Sequence, residues 1–278
     1  MKQSPRVLLT IDYEPWFALS RKYDRLNDLQ MRSDLDHGFT KDALSQILEL
    51  FSGYAISFFL VGEIAEWYPQ VPAAITAAGH ELGFHCQLHR SLTNPDELEL
   101  DLVRSRSWRQ QYRVTGYRAP MVGLGESGYP LLAKEGFSYS SSIYAPTGSL
   151  QRKSGILEIP VSTFSLQSRR AIYNAPRPFN IRLLLDGEIP FGSSFMSGLT
   201  PGWVLKRVES ELKAGLSPVL ILHPYELIKP ERFLKNLLPD LVTSPQLLPF
   251  TRNKLAFLTE LLKNFPVGRM DQFFKESM

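Results

Sequence analysis

Short apolar runs, rich in β-branched and aromatic residues, alternate along this chain with stretches of helical periodicity. That alternation constrains the fold most, because it is the pattern of parallel strands joined by helical crossovers. Residues 7–12, 55–61, 82–84, 116–118, 137–142, 156–163 and 219–223 are the strand candidates. Between the first two, apolar residues at 43, 44, 47, 48, 50 and 51 predict a helix over 42–51. Further helices are predicted over 63–78 and 128–135, stopped by Gly79 and Gly136. Another is predicted over 97–112, capped by Asn94 or Asp96, and one more over 202–214. About seven parallel strands in about 225 residues predict an α/β fold, a distorted (β/α) barrel rather than an open sheet. Beyond Pro230 the pattern is helical and rich in Leu and Phe, with segments near 252–262 and 270–276. The stretch 169–202 is rich in Pro, Gly and Arg and weakly periodic, so a long excursion over the substrate site is expected there. With no internal repeat, low-complexity tract or linker, residues 1–278 are read as one domain, with a core over about 6–228 and a helical extension over about 230–278.

The 278 residues are enough for one large core. With 44% hydrophobic and 21% charged residues, the chain has the composition of a globular protein. Its net charge is +3 and its Lys and Arg are scattered, which leaves no electrostatic footprint for nucleic acid. A single cysteine, Cys86, excludes an intrachain disulfide and fits a reducing compartment. The apolar stretch 7–11 is too short for a signal-peptide core, and no run approaches the roughly 18 to 20 apolar residues of a transmembrane helix. A cytoplasmic location is therefore expected, with no transmembrane segment.

The reactive residues fall at strand ends. Asp12 and Glu14 follow the first strand, His85 and His89 the third, Arg118 the fourth, and His223 and Glu226 the last. In an α/β barrel the C-terminal strand ends form one rim, so these separated segments are expected to converge. His85-Cys-Gln-Leu-His89 sets two imidazoles four residues apart, a spacing that zinc sites use. On an extended chain Asp12 and Glu14 share a face, and two such carboxylates can split their roles, one binding metal and one taking a proton. Three protein ligands would leave a position for water, whose pKa a bound metal lowers toward about 7. The remaining histidines read as structural (His80) and solvated (His37), and Cys86 as a packing residue. Trp16, Tyr117 and Tyr225 flank the expected rim as candidate sugar-stacking surfaces, with Pro120 and Glu226 beside them; Glu226 contacts either His223 or substrate, or simply starts a helix.

Together these segments resemble the polysaccharide deacetylase superfamily, also known by its NodB homology and as carbohydrate esterase family 4. The closer similarity is to its branch with Asp-x-Glu in place of an adjacent Asp pair. The matching stretches are Leu9-Thr-Ile-Asp-Tyr-Glu-Pro-Trp16, Ser57-Phe-Phe-Leu-Val-Gly62, Ala78-Gly-His-Glu-Leu-Gly-Phe-His-Cys-Gln-Leu-His89, Gly116-Tyr-Arg-Ala-Pro120 and Leu220-Ile-Leu-His-Pro-Tyr-Glu226, in the family's order. The resemblance implies a distorted barrel that removes an acetyl group from an N-acetylated or O-acetylated sugar. By resemblance, His85, His89 and Glu14 are metal ligands, Asp12 is the general base, Arg118 holds that base, and His223 is the general acid. The Asp-x-Glu spacing leaves a second assignment open, with Asp12 as ligand. The family's usual Asp-x-x-Asp-Trp segment, which tunes the acid histidine, is absent, and Glu158 and Asp186 are the candidate substitutes. Zinc is the family-typical metal, and the mixed His/carboxylate set would also accept nickel, cobalt, manganese or iron.

Two other readings follow from the same residues. One is a hydrolase of a non-peptide C–N bond in a small cyclic amide. The other is a catalytically inactive barrel that binds carbohydrate.

Overall fold

The computed structural model describes residues 4–20, 26–92, 94–166, 183 and 187–278. Its first strand, β1 (Val7–Tyr13), is buried at every residue. A strand covered on both faces needs apolar side chains throughout, and Val-Leu-Leu-Thr-Ile supplies them. β2 (Ser57–Leu60), β3 (Glu81–Phe84), β4 (Gly116–Tyr117), β5 (Tyr139–Ser140), β8 (Ile156–Glu158) and β11 (Val219–Leu222) join β1 in one parallel run, ordered β11-β1-β2-β3-β4-β5-β8. The seven parallel strands match the expectation. β7 (Gln151–Lys153) adds an antiparallel edge to β8, and β12 (Val267–Gly268) pairs with the start of β1. The register sets Ile11 beside Leu222, Tyr13 beside Leu60 and Phe84 beside Tyr117, so the strand ends of β11, β1, β2, β3 and β4 share one rim.

A second sheet, ordered β10-β9-β6, is built from β6 (Tyr144–Pro146), β9 (Val161–Ser165) and β10 (Glu188–Ile189). It reaches the open side of the parallel run. Gly192 donates its N–H to the carbonyl of Ser162 at 2.9 Å and accepts from Ile221 N–H at 2.8 Å, tying β9 to β11. This contact requires glycine: a Cβ on Gly192 would stand 2.2 Å from the Val219 carbonyl oxygen and 2.8 Å from the Ser162 nitrogen.

Several expected elements are divided where proline removes a backbone donor. The helix expected over 63–78 is two helices, Gly62–Trp67 and Gln70–Ala77, broken at Tyr68 and Pro69. The strand expected over 156–163 splits at Pro160 into β8 and β9, which belong to different sheets. The Asp-rich segment that leads to His37 forms helix Leu29–Asp36, capped by Asp28, whose carboxylate accepts from the backbone N–H groups of Gln30 and Met31. Of the two expected caps, Asn94 takes the position, accepting from Asp96 N–H at the start of helix Pro95–Gln111. Of the excursion expected over 169–202, residues 169–182 and 184–186 lie outside the described residues; the remainder includes β10 and helix Ser194–Leu199. Helix Pro201–Lys213 follows, as expected to within a residue.

The C-terminal stretch forms helices Phe233–Thr243, Leu255–Asn264 and Met270–Glu276. Phe257, Leu258 and Leu261 bury into the main apolar cluster, and their helix packs on helix Pro201–Lys213. None of the described helices is long and apolar enough to cross a membrane.

Candidate metal centre and active site

Each reactive side chain leaves the rim from a different strand end. Glu14 follows β1 and is 2% exposed. Its Oε1 accepts from the hydroxyl of Tyr225 at 2.7 Å. Its Oε2 lies 2.6 Å from Nε2 of His89 and 3.5 Å from Nε2 of His85, and no well-aligned donor satisfies it. One ligand atom each from Glu14, His85 and His89 falls within 4.8 Å of the others.

The two histidines are aimed by the loop after β3. Nδ1 of His85 lies 2.9 Å from the carbonyl oxygen of Arg118. A carbonyl only accepts, so Nδ1 donates there and Nε2 is the nitrogen turned toward Glu14, the arrangement by which a second partner orients a metal-ligating imidazole. His89 has φ +48° and Cys86 φ +64°. Such backbone is costly for residues other than glycine, and here it brings the second imidazole back within 5.1 Å of the first. Cys86 is buried, and its sulfur accepts from His89 N–H at 2.9 Å, a packing role as expected. The loop after β4 has strained backbone too, with φ +55° at both Met121 and Val122.

Asp12 and Arg118 form the second part of the site. Arg118 is fully buried. Its Nη1 donates to Asp12 Oδ1 at 2.8 Å and to Thr10 Oγ1 at 2.6 Å. Its Nε donates to the Ser141 carbonyl at 3.0 Å and its Nη2 to Ser141 Oγ at 2.8 Å, while Phe59 stacks beneath at 4.4 Å. The other oxygen of Asp12, Oδ2, lies 3.8 Å from His85 Nε2.

His223 completes the group. Its Nε2 is 3.8 Å from Glu14 Oε1, and its ring stacks on Tyr225 at 5.2 Å with planes 7° apart. Behind it Glu226, fully buried, accepts from the His223 backbone N–H at 2.9 Å and stands 3.3 Å from Nδ1. Lys254 donates to the far oxygen of Glu226 at 2.6 Å.

These neighbours set the charges. Burial by itself raises the Glu14 carboxyl, but the facing His89 and His223 outweigh it and hold Glu14 well below the usual carboxylate range. Burial depresses the His89 imidazolium, and Glu14 beside it reverses the sign, so its pKa is raised. For His223, burial is likewise overcome by Glu226 and Glu14, and its pKa is raised. Burial raises Glu226, but Lys254 and His223 bring it down to about 2.

The sequence predicted Asp12, Glu14, His85, His89, Arg118, His223 and Glu226 as a converging set, and the structure brings all seven together. It corrects the sugar-stacking surfaces. Trp16 is 4% exposed and packs edge-on against Phe17 and Phe233, with its indole N–H donated to the Leu35 carbonyl. Tyr117 is fully buried against Phe84 and Phe137. Tyr225 is fully buried under His223, and Pro120 is buried beside Ala119. These residues read as rim surfaces because they adjoin the motifs, but their rings turn into the wall. Half-buried Phe250 is a further aromatic side chain near His223, 6.1 Å from its ring, with Phe195 beside it. Neither adjoins a motif, so no sequence signal marks them. Glu158 is also corrected as a partner for His223: it accepts from Ser142 N–H at 2.6 Å and Tyr129 hydroxyl at 3.1 Å at the end of β8. Asp186 lies outside the described residues. His80 accepts from Ile56 N–H and packs on Phe58, as expected of a structural histidine.

The architecture has a counterpart among solved structures. A Mycobacterium smegmatis protein described as a "putative polysaccharide deacetylase" superposes with a TM-score of 0.59 at 18% identity, covering 99% of this chain and 94% of its own. The fold is that of the polysaccharide deacetylases. The fold that the sequence motifs implied is thereby borne out. Among further likenesses, BA3943 of Bacillus anthracis, a carbohydrate esterase family 4 pseudoenzyme, has a TM-score of 0.49 at 13% identity, covering 99% of this chain and 66% of its own. Peptidoglycan deacetylase-like protein FGM2 of Gibberella zeae is 24% identical over 161 residues, 55% of this chain and 46% of that protein. The chain thus matches about half the length of this curated relative. No protein-family model matches the sequence.

Proposed function

We propose that this protein is a metal-dependent deacetylase acting on an N-acetylated or O-acetylated sugar. The observation that carries the reading is the convergence of Glu14, His85 and His89 within 4.8 Å, flanked by the Asp12–Arg118 pair and by His223. The donor set suits a divalent metal: two imidazoles and a carboxylate are an open catalytic zinc set, Oε2 of Glu14 is buried without an aligned donor, and His85 Nδ1 is held by a carbonyl. Glu14, His85 and His89 would hold the ion, with zinc the first expectation. When bound, it supplies Lewis-acid polarisation of the acetyl carbonyl and of a water.

The chain's own residues then have separate tasks. Asp12 takes the proton of the water that adds to the acetyl carbon. Arg118 fixes one Asp12 oxygen and thereby aims the other into the site. As the C–N or C–O bond of the tetrahedral intermediate breaks, His223 gives a proton from Nε2 to the departing amine or alcohol. The products are acetate and the free sugar group. Half-buried Phe250, 6.1 Å from the His223 ring, is a candidate surface for a sugar ring.

Metal content by elemental mass spectrometry, on wild type and the His85→Ala/His89→Ala double variant, tests the proposal together with acetate release from acetylated amino sugars. Near-stoichiometric metal that is lost in the variant, with acetate released only by wild type, is the expected result. Metal without acetate release favours the small cyclic amide reading. Absence of metal even after reconstitution overturns the mechanism and leaves a carbohydrate-binding barrel.

A further inference from the structure

The absent Asp-x-x-Asp-Trp segment leaves His223 without its usual carboxylate partner, yet the structure supplies one from a different place. Glu226 lies three residues beyond His223 on helix Pro224–Leu227. Its Oε2 sits 3.3 Å from His223 Nδ1, while Nε2 of the same ring faces the site, 3.8 Å from Glu14. The stack on Tyr225 sets the plane of the imidazole, and the carboxylate faces the nitrogen turned away from the site.

Glu226 is itself held from behind. Its Oε1 accepts from the hydroxyl of Ser194 and, at 2.6 Å, from the ammonium of Lys254. Lys254 is 2% exposed, and its ammonium also donates to the Ser194 carbonyl and hydroxyl, each at 2.5 Å. Its backbone N–H donates to the Glu226 carbonyl at 2.9 Å, so main chain and side chain both clamp the same residue. Lysine is almost never buried to this extent unless it is paired, and a buried ion pair is often no more stabilising than apolar packing. Stability alone therefore does not account for it. Lys254 and Ser194 both lie outside the short motifs that carry the resemblance, and Lys254 lies in the C-terminal extension.

We infer that Lys254 and Ser194 are positioning residues for the acid step: they lock the Glu226 carboxylate against His223 Nδ1, so that Nε2 presents the proton to the leaving group. The inference rests on the deacetylase reading above. The 3.3 Å separation is looser than an ideal hydrogen bond, as is common before substrate closes a site.

The leaving group separates this role from a structural one. An amine departs only with a proton, whereas 4-nitrophenolate departs as the anion. Lys254→Met and Glu226→Gln are to be compared with wild type, all metal-reconstituted, on an N-acetylglucosamine oligomer and on 4-nitrophenyl acetate. Both variants are expected to lose about 10²-fold in kcat on the oligomer with KM nearly unchanged, while aryl ester hydrolysis stays within about threefold of wild type. Equal losses on both substrates, or no loss on the oligomer, overturn the inference. Ser194→Ala removes one hydroxyl donor from Glu226 and leaves the Lys254–Glu226 ion pair in place, so it carries the test should either variant fail to fold, with a smaller loss again confined to the oligomer. A wild type that cleaves the aryl ester but not the acetamide would instead remove the N-deacetylase reading, and the inference with it.

Discussion

Arg118 grips one oxygen of Asp12 at 2.8 Å and leaves the other 3.8 Å from Nε2 of His85, so a single guanidinium decides which way the carboxylate points. Four of its contacts, to Thr10, Asp12 and Ser141, use the planar fork, and Phe59 lies against its face. Lysine has neither the fork nor the planarity. Arg118→Lys is therefore expected to lower kcat by about 10²-fold or more and to destabilise the fold by about 1–3 kcal/mol, as for buried acceptors left unpaired. Steady-state kinetics and denaturant unfolding check both parts; a variant with wild-type kcat would show that Asp12 needs no such anchor.

Asp12 and Glu14 are distinguished by their surroundings, and the two isosteric amides should separate them. Glu14→Gln is expected to lose bound metal, because Oε2 stands between the two imidazoles. Asp12→Asn should retain metal and lose about 10²- to 10⁴-fold in kcat, the usual contribution of a general base. Elemental analysis of both proteins decides the assignment, and metal loss in Asp12→Asn instead would exchange the roles.

Asp36 gives the fold a pH dependence away from the site. It is 1% exposed at the end of helix Leu29–Asp36, and burial raises its pKa to about 6 despite hydrogen bonds from Thr40. The unfolded value is about 3.9, so the folded state binds the extra proton between about pH 4 and 6. Its contribution to stability is full below that window, declines as pH rises through it, and is lost above. Asp36→Asn should flatten this slope and raise the melting temperature at pH 8 more than at pH 4.5. An unchanged slope in thermal scans across that range would show that another group carries it.

Gly192 tests how the barrel is closed. A Cβ there would meet backbone on both sides, the Val219 carbonyl and the Ser162 amide, and backbone cannot rotate away as a side chain can. Gly192→Ala is expected to cost about 3 kcal/mol or more, above the usual range for an inserted methyl group. Gly202→Ala is the control, since its Cβ would meet nothing within 4 Å. Equal unfolding midpoints for the two variants would mean that the link between β9 and β11 gives way easily.

Local pattern and elementary chemistry determined a great deal here. The apolar runs specified the seven parallel strands to within a few residues, since a strand buried on both faces cannot hide its composition. Their ends located Asp12, Glu14, His85, His89, Arg118, His223 and Glu226 on one rim, because parallel strands share a direction. What the sequence did not disclose depends on contacts between distant segments. Pro69 and Pro160 mark breaks that periodicity alone runs across, and the departure of β9 into a second sheet is decided by its pairing with β6. Whether Trp16, Tyr117 and Tyr225 face substrate or the wall depends on side-chain direction, which adjacency to a motif does not set. The partner of His223 was the hardest to see: Glu226 stood in plain view, but the lysine that holds it lies 28 residues further on and carries no motif. Only the packing of the C-terminal segment against helices Ser194–Leu199 and Pro224–Leu227 brings Lys254 there, and an ammonium is tolerated in that interior because a carboxylate meets it.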